Sequence, residues 1–262
     1  VDFHTHAFPD SIAAYAVPKI AEQAGVTPTL DGTIPTLLAS MDAAGIERSV
    51  VCSIATKPQQ FQPILEWSLD IASDRIIPFA SLHPADPHSA NRVRQIAAAG
   101  LRGIKLHPYY QDFILDDEAL FPVYDAAQRA GLILVSHTGF DIAFPRDDHA
   151  SPERVLRIIE TFPQLKFVAT HLGGWEDWDR VERFLLGKPI ATEISFTEGY
   201  LPRERLRSFL LRHPQESLLF GSDSPWRSQS EALRKLSELD LPQELIEHMT
   251  SRNALRMIDL HP

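Results

Sequence analysis

Short apolar runs alternate with longer amphipathic stretches from one end of the chain to the other. Eight such runs fall at 1–6, 48–54, 76–83, 101–107, 132–137, 165–171, 189–195 and 217–223. Brief, mostly apolar runs with little alternation are what strands buried on both faces require. Between them the period changes. Residues 36–44 predict a helix stopped by Gly45, and 118–130 one stopped by Gly131, because helices commonly end on a glycine in the left-handed conformation. Ser151-Pro152-Glu153 ahead of Val155 and Leu156 reads as a cap, a proline at the first helical position and an acidic first turn. Gly100 closes a helix before the fourth run, and 228–239 and 242–258 complete the set. Pro9, Pro18, Pro28 and Pro35 follow the first run, which predicts a long loop carrying a short helix there. A second long loop, 138–149, follows the fifth run; loops of that length are more often functional than idle.

Eight strand–helix units without a composition break predict one α/β domain over 1–262. A closed (β/α)8 TIM barrel with an additional C-terminal helix fits best, since such barrels take about 250 residues. An open doubly wound sheet is the alternative. Composition narrows the partners. With 44% hydrophobic and 23% charged residues the chain is globular rather than disordered. A net charge of −10 argues against nucleic acid or an anionic membrane surface, and no apolar run is long enough to span a bilayer. The single cysteine, Cys52, excludes an intrachain disulfide and a cysteine-rich metal site, and fits a reducing, cytoplasmic setting. The chain starts at Val1, which leaves room for a trimmed N-terminal piece, and a homo-oligomer is compatible with the sequence.

The candidate chemistry lies where the strands end. In a barrel the C-terminal strand ends carry the active site. Six of the eleven histidines, His4, His6, His83, His107, His137 and His171, sit at predicted strand ends, and Asp223 ends the eighth. Alternation puts His4 and His6 on one face, and Lys105 and His107 on one face with Ile104 and Leu106 turned to the helices. Neutral imidazoles converging with a carboxylate suit a divalent ion such as Zn²⁺. His83 alone reads as a hydrogen-bonded loop residue, and His88, His149, His213, His248 and His261 as surface residues. Trp175 and Trp226 on top-face loops are candidates to stack on a planar substrate. Glu193 and Ser195 share a face, and a buried Glu193 needs a partner such as Lys105. There is no phosphate-binding glycine loop and no nucleophile elbow.

Asp2-Phe3-His4-Thr5-His6, Gly103-Ile104-Lys105-Leu106-His107-Pro108, Ser136-His137-Thr138-Gly139, Thr170-His171-Leu172-Gly173-Gly174 and Gly221-Ser222-Asp223-Ser224-Pro225-Trp226 stand in the order of the amidohydrolase superfamily. The chain most resembles its amidohydrolase-related branch, which includes aminocarboxymuconate-semialdehyde and resorcylate-type decarboxylases. Asn253-Ala254-Leu255-Arg256 is similar to that branch's last helix. The resemblance implies a metal-dependent enzyme on a TIM barrel. It implies that His4, His6, His137 and Asp223 hold the metal and that His171 is the acid/base or polarising residue. The branch usually works with one ion, although Lys105 lies where binuclear relatives carry a carbamylated lysine. Hydrolysis of a small amide, lactone or ester by a metal-activated water is the first reading. Non-oxidative decarboxylation of a small or aromatic acid is the second, and a non-catalytic binding barrel the third. No arginine matches the decarboxylases' carboxylate-binding position; Arg146 is a candidate by location only. Lys105 close to a cation calls for an acidic or strongly polarised substrate, with His107 beside it.

Overall fold

A computed structural model describes residues Val1–Asp259; His261 lies outside them. Eight strands run in chain order: β1 Asp2–Thr5, β2 Ser49–Cys52, β3 Ile76–Phe79, β4 Gly103–Leu106, β5 Ile133–Ser136, β6 Lys166–Ala169, β7 Ala191–Glu193 and β8 Leu218–Leu219. Each lies inside one of the eight predicted runs. Every recorded pairing is parallel, β1-β2-β3 on one side and β4 through β8 on the other. The two arcs join at both seams. Lys105 N donates to Ala80 O at 2.8 Å between β3 and β4. Phe3 N donates to Phe220 O at 2.9 Å and Asp223 N to His4 O at 2.8 Å between β1 and β8. The result is the TIM barrel that the alternating pattern predicts.

Eleven α-helices are described: α1 Asp10–Ala24, α2 Ile34–Ala44, α3 Phe61–Ile71, α4 Ser89–Ala98, α5 Phe121–Ala130, α6 Pro152–Thr161, α7 Trp178–Phe184, α8 Arg203–Arg212, α9 Gln229–Ser237, α10 Gln243–Glu247 and α11 Asn253–Met257, with a π-helical turn, His248–Arg252, between the last two. The stretch after β1 departs from expectation. It holds not a short helix but the 15-residue α1, which runs through Pro18. Ala13, Val17 and Ala21, spaced four apart, bury one face of α1, and that packing outweighs the hydrogen bond the proline removes. No described helix is long and apolar enough to cross a membrane.

Two apolar layers hold the barrel. Ile104, Leu106, Leu134, Ala169 and Leu218 face the helices, while Val50, Cys52, Ile77, Phe79, Ile133, Val135, Val168, Ala191 and Leu219 fill the interior. Ala254 and Ile258 close the interior from below. Gly103 on β4 makes room inside, because a Cβ there would meet the Phe79 ring at 2.6 Å. The pairing of β1 shifts register between Asp2 and Thr5. Such an extra residue re-aims side chains, and here Phe3 joins the interior cluster while His4 still points to the barrel mouth. The apolar plug below and the polar cluster above are thus built from adjacent residues of one strand.

Candidate metal centre

The strand ends bring five imidazoles and several carboxylates together. His4 of β1 and His6 just beyond its end face each other with their Nε2 atoms 3.1 Å apart. Asp223, just beyond β8, places Oδ1 3.1 Å from His6 Nε2 and 3.6 Å from His4 Nε2. Ligand atoms of His4, His171 and Asp223 all lie within 4.8 Å of one another. His137 reaches this group through His171, whose Nε2 is 3.2 Å from His137 Nδ1. His137 also stacks on His107 at 4.3 Å and, with Asp141, makes a second group of three.

The partners of the outer ring nitrogens fix the tautomers. His6 Nδ1 lies 2.8 Å from Cys52 O, His137 Nε2 2.8 Å from Phe140 O, and His171 Nδ1 3.1 Å from Ser195 O. His4 Nδ1 lies 3.0 Å from Glu193 Oε1. A carbonyl or an ionised carboxylate only accepts, so these four nitrogens carry the protons. The inward atoms, Nε2 of His4, His6 and His171 and Nδ1 of His137, are then bare lone pairs. Asp223 Oδ1 adds another acceptor, buried without a hydrogen bond. Acceptors packed this closely repel unless a positive charge lies among them, and imidazoles that donate their outer N–H to a carbonyl or carboxylate are the arrangement metal ligands adopt. The donor set therefore fits a divalent ion. Lys105 Nζ, 2.9 Å from His4 Nε2, already supplies part of the charge.

Burial and charge act together here. Burial pushes the Asp223 carboxyl up, but His4, His6 and His171 outweigh it and hold it well below its ordinary range. His171 is pushed down to about 3 by burial and by His137. Burial also lowers Lys105 and raises Asp141. Asp2, buried on the other side of β1, accepts from Ser222 and Gln229 and is raised to about 6 by burial.

Several sequence expectations need adjusting. His4, His6 and Asp223 meet, as does His171, which comes within ligand distance of the group, while His137 touches it only through His171. Glu193 pairs with His4 and the His171–Ser195 segment, not with Lys105, because alternation gives the face of a strand but not the neighbour across the barrel. Trp175 is only 7% exposed and packs edge-on against Tyr200, so it is a loop-packing aromatic rather than an open platform. Trp226 is half-buried against the helix-side core. Arg146 is 62% exposed, over Phe140 and paired with Glu176. His213 is buried, not superficial, since its ring donates to Ile190 O at 2.9 Å behind β7. His83 accepts from Ala85 N, the local role expected of it. Two residues were not foreseen. Asp141 sits between His107 and His137 at 3.5 and 3.6 Å. Arg227 lays its guanidinium 4.5 Å over Phe196, whose ring approaches His171 at 6.3 Å. Their only sequence signal is position, on the loops after strands 5 and 8.

The amidohydrolase family model matches residues 1–260, and the chain belongs to that family. It is 24% identical over 181 residues to a dihydroorotase of Pseudomonas fluorescens (strain Pf0-1), covering 65% of this chain and 47% of that one. The chain spans half or less of the length of the curated relatives it matches. It superposes on the uncharacterised TIM-barrel protein Bb4693 from Bordetella bronchiseptica with a TM-score of 0.76 at 21% identity, covering 98% of this chain and 97% of that one. A 5-carboxyvanillate decarboxylase from Novosphingobium aromaticivorans, complexed with manganese and 4-hydroxy-3-methoxy-5-nitrobenzoic acid, gives 0.73 at 16%, covering 99% and 95%. At these identities the likeness to the solved structures is one of fold.

Proposed function

We propose that this amidohydrolase-family enzyme hydrolyses a small amide, lactone or ester, with one divalent ion, Zn²⁺ by the chemistry of its ligands, held by His4, His6, His137 and Asp223. The observation that carries the reading is the proton inventory. The atoms facing the reaction space from His4, His6, His171 and Asp223 are acceptors, with their protons donated outward. A site of acceptors suits the removal of a proton from water. A decarboxylase must instead deliver a proton to the carbon that loses CO₂. When bound, a divalent ion there polarises a water or a substrate oxygen. Asp223 Oδ1 then accepts the proton of the attacking water. His171 Nε2 receives that proton next and hands it to the leaving group, while Nδ1 stays hydrogen-bonded to Ser195 O and holds the ring in place. Lys105 Nζ offers a positive charge to an acidic substrate, and His107 faces the same space beside Asp141. The buried thiol of Cys52 fits the reducing cytoplasm.

One observation favours decarboxylation as the second reading. Arg227, four residues beyond Asp223, has no carboxylate within 4 Å among the described residues and lies over an aromatic pair, Phe196 and Tyr200. That is a natural seat for an aromatic carboxylate. The two readings separate in ¹⁸O-labelled water. The metal-loaded protein is offered a panel of lactones, cyclic amides and aromatic acids. Hydrolysis places one ¹⁸O in the organic product. Release of CO₂ with no label in the organic product would overturn the hydrolase reading.

A further inference from the structure

Glu193, at the end of β7, is fully buried and makes more contacts than any role considered so far explains. Its Oε1 accepts from His4 Nδ1 at 3.0 Å, from the backbone N of His171 at 2.9 Å and from Ser195 Oγ at 2.9 Å. Its Oε2 accepts from Ser195 N at 2.6 Å. One carboxylate therefore ties together the ends of β1, β6 and β7. The fold also reserves space for it. A Cβ on Gly221, just beyond β8, would lie 2.2 Å from Glu193 Oε2 and 3.0 Å from His4 Cβ. Gly221 has no positive φ, so the glycine is explained by this close approach and not by backbone conformation.

We propose that Glu193 is a positioning residue of the metal centre: it holds His4 with its proton on Nδ1 and its Nε2 bare, and anchors the backbone from which His171 projects. The other imidazoles use backbone carbonyls for this purpose. His171 Nδ1 also meets Ser195 Oγ at 3.0 Å, but of the four only His4 hydrogen-bonds its outer nitrogen to a carboxylate, and so can be switched by an isosteric substitution. Glutamine has the right shape but the wrong inventory. If its amide oxygen replaces Oε1, its NH₂ meets the Ser195 N–H head-on. If the amide turns over, its NH₂ meets His4 Nδ1 and drives the proton to Nε2, where it blocks the ligand lone pair.

This inference rests on the reading of His4 as a metal ligand, and the test separates the two. Zinc affinity is measured by competition with a chromophoric chelator for the wild type, Glu193→Gln and Gly221→Ala, and the tautomer of His4 is read by ¹⁵N NMR on the metal-free wild type. Carboxylates that orient ligating histidines typically account for about 10–100-fold in metal affinity. We expect that loss for both variants, and Nδ1–H on His4 in the wild type. A wild type that binds no zinc sinks the metal reading itself. Zinc bound by the wild type and by folded Glu193→Gln with equal affinity overturns the role of Glu193 alone. Should the variants not fold, a wild-type His4 carrying its proton on Nε2 overturns it equally.

Discussion

His171 and His137 share a 3.2 Å contact but are asked to do different things. Removing His137 with His137→Ala deletes a bare Nδ1, and elemental analysis of the purified variant should show metal content below the wild type. His171→Asn should keep the metal and the fold while turnover falls about 10²–10⁴-fold, the usual contribution of a general acid–base group. Metal retained by the first variant, or lost by the second, would exchange the two roles. The structure makes this contest sharper than the sequence did, since His171 lies within ligand distance of His4 and Asp223. At this scale the sequence reveals residues that end strands, because strand ends converge by topology. Asp141 and Arg227 escape it: loops carry no periodicity, and a carboxylate or guanidinium on a loop is ordinary until its neighbours are known.

Elements were legible where burial imposes a pattern: a short apolar run for strands covered on both faces, a helical period for helices buried on one. All eight strands were, and so were the helices ended by Gly45 and Gly131, whose φ values of +67° are those of left-handed caps. The four prolines after the first run predict a long loop, but only Pro18 falls inside α1, where the buried trio Ala13, Val17 and Ala21 carries the helix through it. Pro18 is exposed on that helix, so Pro18→Ala should stabilise the protein, by up to about 3 kcal/mol, read from urea denaturation. A fall in stability would mean that the proline packs against something in its own right. The loop after β5 tells the opposite story. Gly139 has φ +83°, and a Cβ there would meet Trp175 N at 2.1 Å. Phe140 N donates to Trp175 O and Trp175 N to Thr138 O, lacing this loop to the one after β6. Gly139→Ala should therefore cost at least about 1–2 kcal/mol from the backbone conformation alone, and more from the displaced indole loop. The same denaturation series checks it, and an unchanged midpoint would show that the two loops are not coupled.

For the molecule as a whole, the barrel and its polar end follow from the count of strands, but the number of ions does not, because two separate three-residue groups lie side by side, joined by the 3.2 Å contact between His171 and His137. We expect one ion per chain. The first group presents bare nitrogens and the unpartnered Asp223 Oδ1. The second is already filled with protons. His107 Nδ1 accepts from Tyr110 N at 3.4 Å, which leaves its proton on Nε2, toward Asp141 Oδ2. His137 Nε2 carries the proton it donates to Phe140 O. Asp141 is thus flanked by two N–H groups, and an ion there would have to displace both. Lys105 is the argument on the other side. It is buried, its amine is lowered by that burial, and it lies 2.9 Å from His4 Nε2, so a carbamate on it would reach the ligand set. Yet that distance is a hydrogen bond from Nζ to a lone pair, and a carbamate would replace the donor with an anion beside Asp223 and Glu193, both held ionised. Three buried anions against one divalent ion leave a net negative charge that is costly to bury, whereas one divalent ion alone balances Asp223 and Glu193 and leaves the protonated Lys105 to meet an acidic substrate. Elemental analysis after zinc loading should give one ion per chain, and ¹³C NMR after incubation with labelled bicarbonate should show no lysine carbamate signal. Two ions per chain together with that signal would overturn the single-ion site and make the His107–His137–Asp141 group its second half.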